Sequence, residues 1–563
     1  MRHRQKHRPA ALVAAFGVLG LMTAGPVGMP TSAAAAQTES AAGSTITISA
    51  ADGETWSCSF NPFNPNTYFF SLGMVNEELY YINSLTGKMT PWLATAYHWS
   101  DNATVLTWTI RKGVYFNDGE PLTAEDVAYT FQLIKSNPSL DLEGIDPTLQ
   151  SVSVTGPYQV TMRFKQPAAT LFYYIADQIG IVPKSVWDKV KNPLTWPDAH
   201  PVGTGAYTVS ACSAQNITYT ANPHFWMPGL PKIKTVEVPA IIANSTANEL
   251  LANGGAQWGG QFIPNVKTAY LSRNKNFRDW SPPGGFSGVY LNVTDPLLAL
   301  PVRQAMAYAI NRAQIATLAE DGEVPAANQS GALLPSERAW YNATVAARYN
   351  DYAYSPAKAI SILERAGYKR GAGGIFQNKS GVPLSFNIIT VGGYSDWVAA
   401  CQIIATNLRQ VGIRITQLNL STPTYTTDTT LGKFQLAYGG PPGITIDGPF
   451  GMLRGLLYSG NSAPIGKAAA SDFERYSSPK EDALFQKLNA VTNTAQAEDI
   501  IKQLEVPMLE DVPFIPTADS GAWSQYNAAV ASGWPTAANP YANPSPTTQP
   551  DEEVVLLHLV PKG

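Results

Sequence analysis

The chain has 563 residues, 45% of them apolar and 14% charged, with a formal net charge of −4. That length exceeds one compact core and implies two to four domains. The acidic balance argues against a nucleic-acid binder, which needs a basic footprint on phosphates, and 45 Gly, 43 Pro and 26 Tyr argue against a helical bundle.

In chain order, residues 1–36 come first as a separate unit. Basic MRHRQKHR leads into apolar PAALVAAFGVLGLMTAG and then TSAAAA, a signal-peptide pattern with cleavage near Ala35 or Ala36. This segment carries four basic residues and no acid, so its removal takes the formal charge to −8. No later run reaches the ~20 apolar residues of a membrane span, and no cysteine stands near the cleavage site to carry a lipid. The expected location is exported, periplasmic or extracellular.

STITISA (44–50) alternates as a strand and ends at Asp52-Gly53; an aromatic, Asn/Pro-rich loop, WSCSFNPFNPNTYFF, follows. TVLTWTIRKGVYF (104–116) alternates on both sides of Lys112-Gly113, the pattern of two strands in a hairpin. Four carboxylates then fall within nine positions: Asp118, Glu120, Glu125 and Asp126. Asn117-Asp118-Gly119 is a turn, and Thr123 stands where a helix cap is needed, with two acids in the first turn. These are structural roles, not a pair for acid/base chemistry.

PVGTGAYTV (201–209) lacks the Lys-Ser/Thr of a phosphate loop and precedes a strand, NITYTAN, so its glycines are expected to shape a backbone crossing. PVRQAMAYAINR (301–312), SPAKAISILERAGY (355–368) and DWVAACQIIATNLRQVGI (396–413) read as amphipathic helices, and LSFNIIT (384–390) and IRITQLNL (413–420) as strands around the last of them. Such β-α-β order indicates an α/β domain with partly parallel strands.

Cys58, Cys212 and Cys401 lack metal spacing and are too few for a disulfide scaffold; export permits one bridge and leaves one thiol. Past residue 36 the histidines are His98, His200, His224 and His558, scattered, which argues against a zinc or Ser-His-Asp site. No cofactor is expected.

PWLATAYHWSDNATVLTWTIRKGVYFNDGEPLTAEDVAYTF (91–131), PVGTGAY, YLNVTDPLLALPVRQAMAYAINR (290–312) and the AGY…VGI helix pair together resemble the family-five extracellular solute-binding proteins of ABC importers, the oligopeptide- and dipeptide-binding group. The resemblance implies an α/β, two-lobed periplasmic-binding-protein-like fold with an extra subdomain and a hinge. One lobe would comprise 37–75, 205–283 and 515–563, its subdomain 76–204, and the other lobe 284–514. It implies a monomer without enzymatic activity, partnered by an ABC permease. In that layout Cys58 and Cys212 share a lobe, so a Cys58–Cys212 bridge with Cys401 buried and reduced is expected; three free thiols is the alternative.

Peptide binders of the family carry a Trp-x-x-Asp whose carboxylate pairs with the peptide ammonium. Here the segment reads FQLAYGGPPGITIDGPF (434–450), with Pro441 and Ile444 at those positions, and Asp447 substitutes only if the loop shifts. A buried ammonium without a carboxylate costs several kcal/mol. The C-terminal W..Y…GWP…NPYA pattern (523–542) and Trp196-Pro197-Asp198 instead resemble members that bind β-linked oligosaccharides such as cellobiose. A neutral sugar needs flat apolar faces and a few amides. From the 13 tryptophans, Trp258, Trp397, Trp523 and Trp56 are the candidate stacking residues, with Asn61, Asn292 and Asp447 as polar partners; Trp92, Trp99 and Trp108 read as core. The expected ligand is a small cellobiose-like oligosaccharide, the alternative a dipeptide or oligopeptide. A secreted glycoside hydrolase would need two carboxylates ~5–10 Å apart across a cleft, and the acids here serve turns and caps.

Overall fold

The computed structural model describes residues 44–50, 55–64, 71–334, 337–441, 449–491 and 494–562. The leader, the Asp52-Gly53 turn, Ile444 and Asp447 lie outside the described residues.

Three sheets carry the architecture. A seven-stranded sheet runs in the order Phe277–Asp279, Gln525–Asn527, Trp258–Gly259, Thr45–Ser49, Thr235–Pro239, Asn216–Ala221, Tyr207–Cys212. Thr45–Ser49, the first expected strand, lies at its centre, parallel to both neighbours. A five-stranded sheet runs Arg414–Leu420, Ser385–Val391, Leu436–Gly439, Pro283–Leu291, Phe514–Gly521. A four-stranded antiparallel sheet joins Ala94–Ser100, Val105–Ile110, Gln159–Phe164 and Leu149–Gly156. One apolar cluster fills the space under the first and third sheets, with Ile46, Val236, Trp108 and Phe131. Two others, built on Val289, Ile388 and Leu436 and on Phe286, Tyr290 and Phe514, belong to the five-stranded sheet.

Local chemistry explains the elements that position these layers. Thr123 caps the helix Ala124–Ser136: its hydroxyl accepts the Glu125 N–H at 3.2 Å, and Asp126 accepts the Thr123 N–H at 2.9 Å, a reciprocal capping box. Asp118 accepts the Glu120 N–H in the preceding turn, where Gly119 has φ +90°. Asp118 and Asp126 therefore have the structural roles their spacing implies, and Glu125 lies in the first helical turn. A Cβ at Gly203 or Gly205 would drive into the carbonyl oxygens of Val75 or Met74, so the glycines do mark a backbone crossing. The helix Ser395–Gln410 connects the parallel strands Ser385–Val391 and Arg414–Leu420, the β-α-β unit expected there.

Two of the expected elements need correction. Residues 114–116 do not pair with Val105–Ile110, whose partners are Ala94–Ser100 and Gln159–Phe164. After Gly113 (φ +75°) the chain makes its own turn, bridged by Tyr115 and Pro121, and buries Val114 and Phe116. The helix expected over 301–312 is two helices, Leu300–Ala309 and Arg312–Leu318; Ile310 is extended and the Asn311 side chain accepts the Gln314 N–H to start the second.

The chain passes between the seven- and five-stranded sheets twice, at 280–282 and 522–524. The two passages are tied to each other: Ala522 N–H donates to Pro282 O at 2.7 Å and Trp280 N–H to Ser524 O at 3.0 Å. Because Phe514–Gly521 pairs within the five-stranded sheet, the second passage falls after Gly521, not at the 514/515 boundary expected from the sequence.

Cys58 and Cys212 are bonded, with Cα atoms 5.8 Å apart and a separation of 154 positions in sequence; Cys401 is free and buried. Such a cross-link restricts a long loop of the unfolded chain. Replacing both cysteines by serine is expected to lower stability by about 2–4 kcal/mol, read from urea denaturation; an unchanged midpoint would contradict it.

Candidate functional site

Where the two passages meet, the sheets enclose a cavity of about 570 Å³, within the range of small-ligand sites. Gly284, Gly521 and Ala522 form its floor at the passages. Phe262 and Gln261, following the strand Trp258–Gly259, and Asn244, opening the helix Asn244–Ala252, stand on one side. Tyr394, Asp396 and Trp397, at the start of Ser395–Gln410, stand on the other. Trp523 sits on the second passage, and hydroxyls and amides of Ser545, Thr547, Thr548, Asn543 and Gln549 complete the wall from the C-terminal segment.

Two indoles therefore line the cavity, and each is braced. Trp523 meets Phe262 edge-to-face at 5.3 Å, and Trp397 meets Tyr394 at 5.1 Å and Tyr438 at 6.0 Å. Among the described residues that line it there is no Lys, Arg or His, and the one carboxylate is Asp396. Burial pushes Asp396 up to about 6, and behind it Glu320 is raised well above the carboxylate range by its own burial and by the Asp396 charge.

The two sides also touch across the seam. Asn244 N–H donates to Gly393 O at 3.3 Å and its amide reaches Asp396 Oδ1 at 3.4 Å. Asn265 N–H donates to Asp321 Oδ2 at 2.5 Å, Ala169 N–H to Asn489 O at 3.0 Å, and the Arg454 guanidinium lies 5.3 Å from the Tyr174 ring.

The residues proposed from sequence divide sharply. Trp397 and Trp523 line the cavity. Trp258 is fully buried in the core: its N–H donates to Pro544 O at 2.9 Å and its ring abuts Trp534 at 5.6 Å, which itself stacks on Tyr526. It offers no face to a ligand. Trp56 donates to Val238 O at 2.8 Å and is 6% exposed. Asn61 holds the Pro193 and Trp196 carbonyls, and Asn292 those of Gly432 and Phe434, both as buried loop ties. These four residues stand in packing, away from the cavity wall. Asp447 lies outside the described residues. Sequence reasoning passed over Asp396, Gln261, Asn244 and Phe262; the acid-aromatic pair in GGYSDW at a helix start was the one local signal for Asp396.

A second cavity of about 690 Å³ is lined by Tyr81, Trp92, Met227, Tyr541 and His558. It is larger, but no residue of the five-stranded sheet contributes to it, so closure of one side on the other cannot bury a ligand there.

A cavity walled from two separately cored sheets joined by a double passage defines a two-lobed binding protein. Residues 88–463 match the bacterial extracellular solute-binding proteins of family 5, and the chain belongs to that family, whose members are non-enzymatic substrate-binding components of ABC importers. Among solved structures, it is similar to a mannohexaose-bound periplasmic oligopeptide-binding protein of an ABC transporter from Thermotoga maritima: 28% identity, TM-score 0.86, covering 92% of this chain and 99% of that one. The oligopeptide-binding protein AppA from Bacillus subtilis, in complex with a nonapeptide, shares the fold at 19% identity and TM-score 0.77, covering 92% of this chain and 99% of that one. Glutathione-binding protein GsiB from Salmonella choleraesuis is 29% identical over 285 residues, 50% of this chain and 53% of that protein. The chain thus matches about half the length of such curated relatives. Among the described residues, no helix is long and apolar enough to cross a membrane.

Proposed function

We propose that the protein captures a small neutral β-linked oligosaccharide, of the cellobiose kind, by closure of two lobes, and delivers it to a membrane permease. The observation that carries this reading is the cavity itself: two braced indoles, a wall of amides and hydroxyls, and no cation among the described lining residues. Sugar C–H faces stack on indoles and hydroxyls pair with amides. The mannohexaose-bound relative supports the same class of ligand. In this proposal one lobe is 37–75, 205–283 and the segment after 521, with a subdomain at 76–204; the other lobe is 284–521. Residues 1–36 serve as an export leader, and the protein acts as a monomer.

The second reading, a peptide, is favoured by the glutathione-binding relatives. A peptide brings a carboxylate, however, and its burial calls for a cationic partner that the described wall lacks. Thermal melting separates the two. A ligand at a hundredfold excess over its Kd stabilises by about 2.7 kcal/mol, so β-linked di- or trisaccharides are expected to raise the melting temperature and dipeptides or glutathione to leave it unchanged. A shift with peptides alone would overturn the sugar reading.

A further inference from the structure

We propose that Asp396 selects the ligand by charge: its carboxylate accepts a hydrogen bond from a hydroxyl of the neutral sugar and turns away ligands that carry a carboxylate. The inference rests on the sugar reading above. It names the residue that enforces it.

The geometry is specific. Asp396 is 6% exposed yet borders the cavity, one residue before the indole of Trp397. Its side-chain partner across the seam, the Asn244 amide, stands at 3.4 Å, near the limit of a hydrogen bond. The N–H groups of Asp396 and Trp397 in its own helical turn stabilise the charged form. A carboxylate offers about four acceptor sites, so beside the Asn244 amide and these two N–H groups capacity remains for about one donor from a ligand. No lysine, arginine or histidine stands on the described wall to neutralise it.

The groups behind Asp396 keep the site at a single negative charge. Glu320, which follows the helix Arg312–Leu318, is 1% exposed with Oε1 unpartnered among the described residues. Burial and the Asp396 charge favour its protonated form. Tyr438, on Leu436–Gly439, feels both carboxyls and shares a hydrogen bond with Thr517 at 3.0 Å. Cys401, further along the Asp396 helix, is held as a thiol, its pKa pushed up to about 12 by burial. Asp396 is thus the member of this group that faces the ligand and ionises near neutrality. Because a ligand hydroxyl donates to the ionised form, affinity should be full above its pKa and fall as pH drops through about 6.

Titration calorimetry of the full chain with cellobiose, mannobiose and cellobionic acid tests this, at pH 7.5 and 5, on wild type and Asp396→Asn. The expected result is neutral-disaccharide binding that weakens by up to about tenfold at pH 5 and about tenfold or more in Asp396→Asn, with cellobionic acid excluded by wild type and admitted by the variant. The wild-type pH profile stands independently if the variant folds poorly. A neutral disaccharide bound equally at both pH values and by the variant would overturn the role of Asp396 while leaving the sugar reading intact. Failure of wild type to bind either neutral disaccharide, with binding of a peptide instead, would overturn the sugar reading and this inference with it.

Discussion

Trp258→Ala is expected to lower the stability of the ligand-free protein by about 3–5 kcal/mol, whereas Trp397→Ala and Trp523→Ala are expected to cost ligand affinity. Trp258 is fully buried, bonded to Pro544 O and packed on Trp534. Its truncation leaves a cavity among rings that cannot collapse, and an acceptor without its donor. Trp397 and Trp523 are only partly buried and border the ligand cavity. Removing a buried aromatic anchor from a closed complex typically costs about 2 kcal/mol, roughly thirtyfold in Kd. Melting of each ligand-free variant and sugar affinity of each folded variant give the two readouts. Normal melting of Trp258→Ala, or early melting with normal affinity in both cavity variants, would reverse these assignments.

The second large effect is on stability against pH. Six carboxyl groups, Glu77, Glu78, Asp177, Asp551, Glu552 and Glu553, are each no more than 1% exposed. Tyr81 donates to Asp551 at 2.6 Å, Trp226 to Glu77 at 2.8 Å and Ala206 N–H to Glu553 at 2.8 Å, while both oxygens of Glu78 and of Glu552 lack partners among the described residues. Burial raises all six, and repulsion from neighbouring carboxylates reinforces it at Glu78, Asp177, Glu552 and Glu553: Asp551 rises to about 6, Glu77 to about 8 and the others well above the usual range, with hydrogen bonds from Thr204, Trp226 and Trp92, and then the Arg111 charge, offsetting part of the shift at Glu77. The folded state then holds protons that the unfolded chain releases near pH 4. Stability is therefore full below about pH 4 for these groups and is lost as pH rises through the folded values. Each group contributes a slope of about 1.4 kcal/mol per pH unit within its window. Urea denaturation at pH 5, 6.5 and 8 should show falling stability, and Glu552→Gln, which keeps the shape without the ionisable proton, should flatten the slope. Stability that rises from pH 5 to 8 would contradict the assignment.

How much of this was legible in the sequence depends on the range of the interactions. The Thr123 cap and the Asp118 turn are written within four residues, so composition and spacing suffice. Gly203 and Gly205 announced a close approach but not its partner, the backbone at Met74 and Val75. Trp258 was misread because its flanking glycines resemble a loop, while what buries it, Trp534 and Pro544, stands about 280 residues away. The cavity is harder still. Its walls come from near 84, 173, 244, 261, 284, 396, 521 and 545, and no local window contains more than a few of them. Asn61 and Asn292 show the converse error: a buried amide that ties two loop carbonyls looks, in sequence, like one kept for a ligand.

The most direct test of the central claim is native mass spectrometry of the ligand-free protein incubated with an equimolar mixture of β-linked di- and trisaccharides, dipeptides and glutathione. The account predicts a complex whose added mass is that of a neutral saccharide, diminished in Trp397→Ala and Trp523→Ala. An added mass matching a peptide or glutathione, with the saccharides unbound, would contradict it.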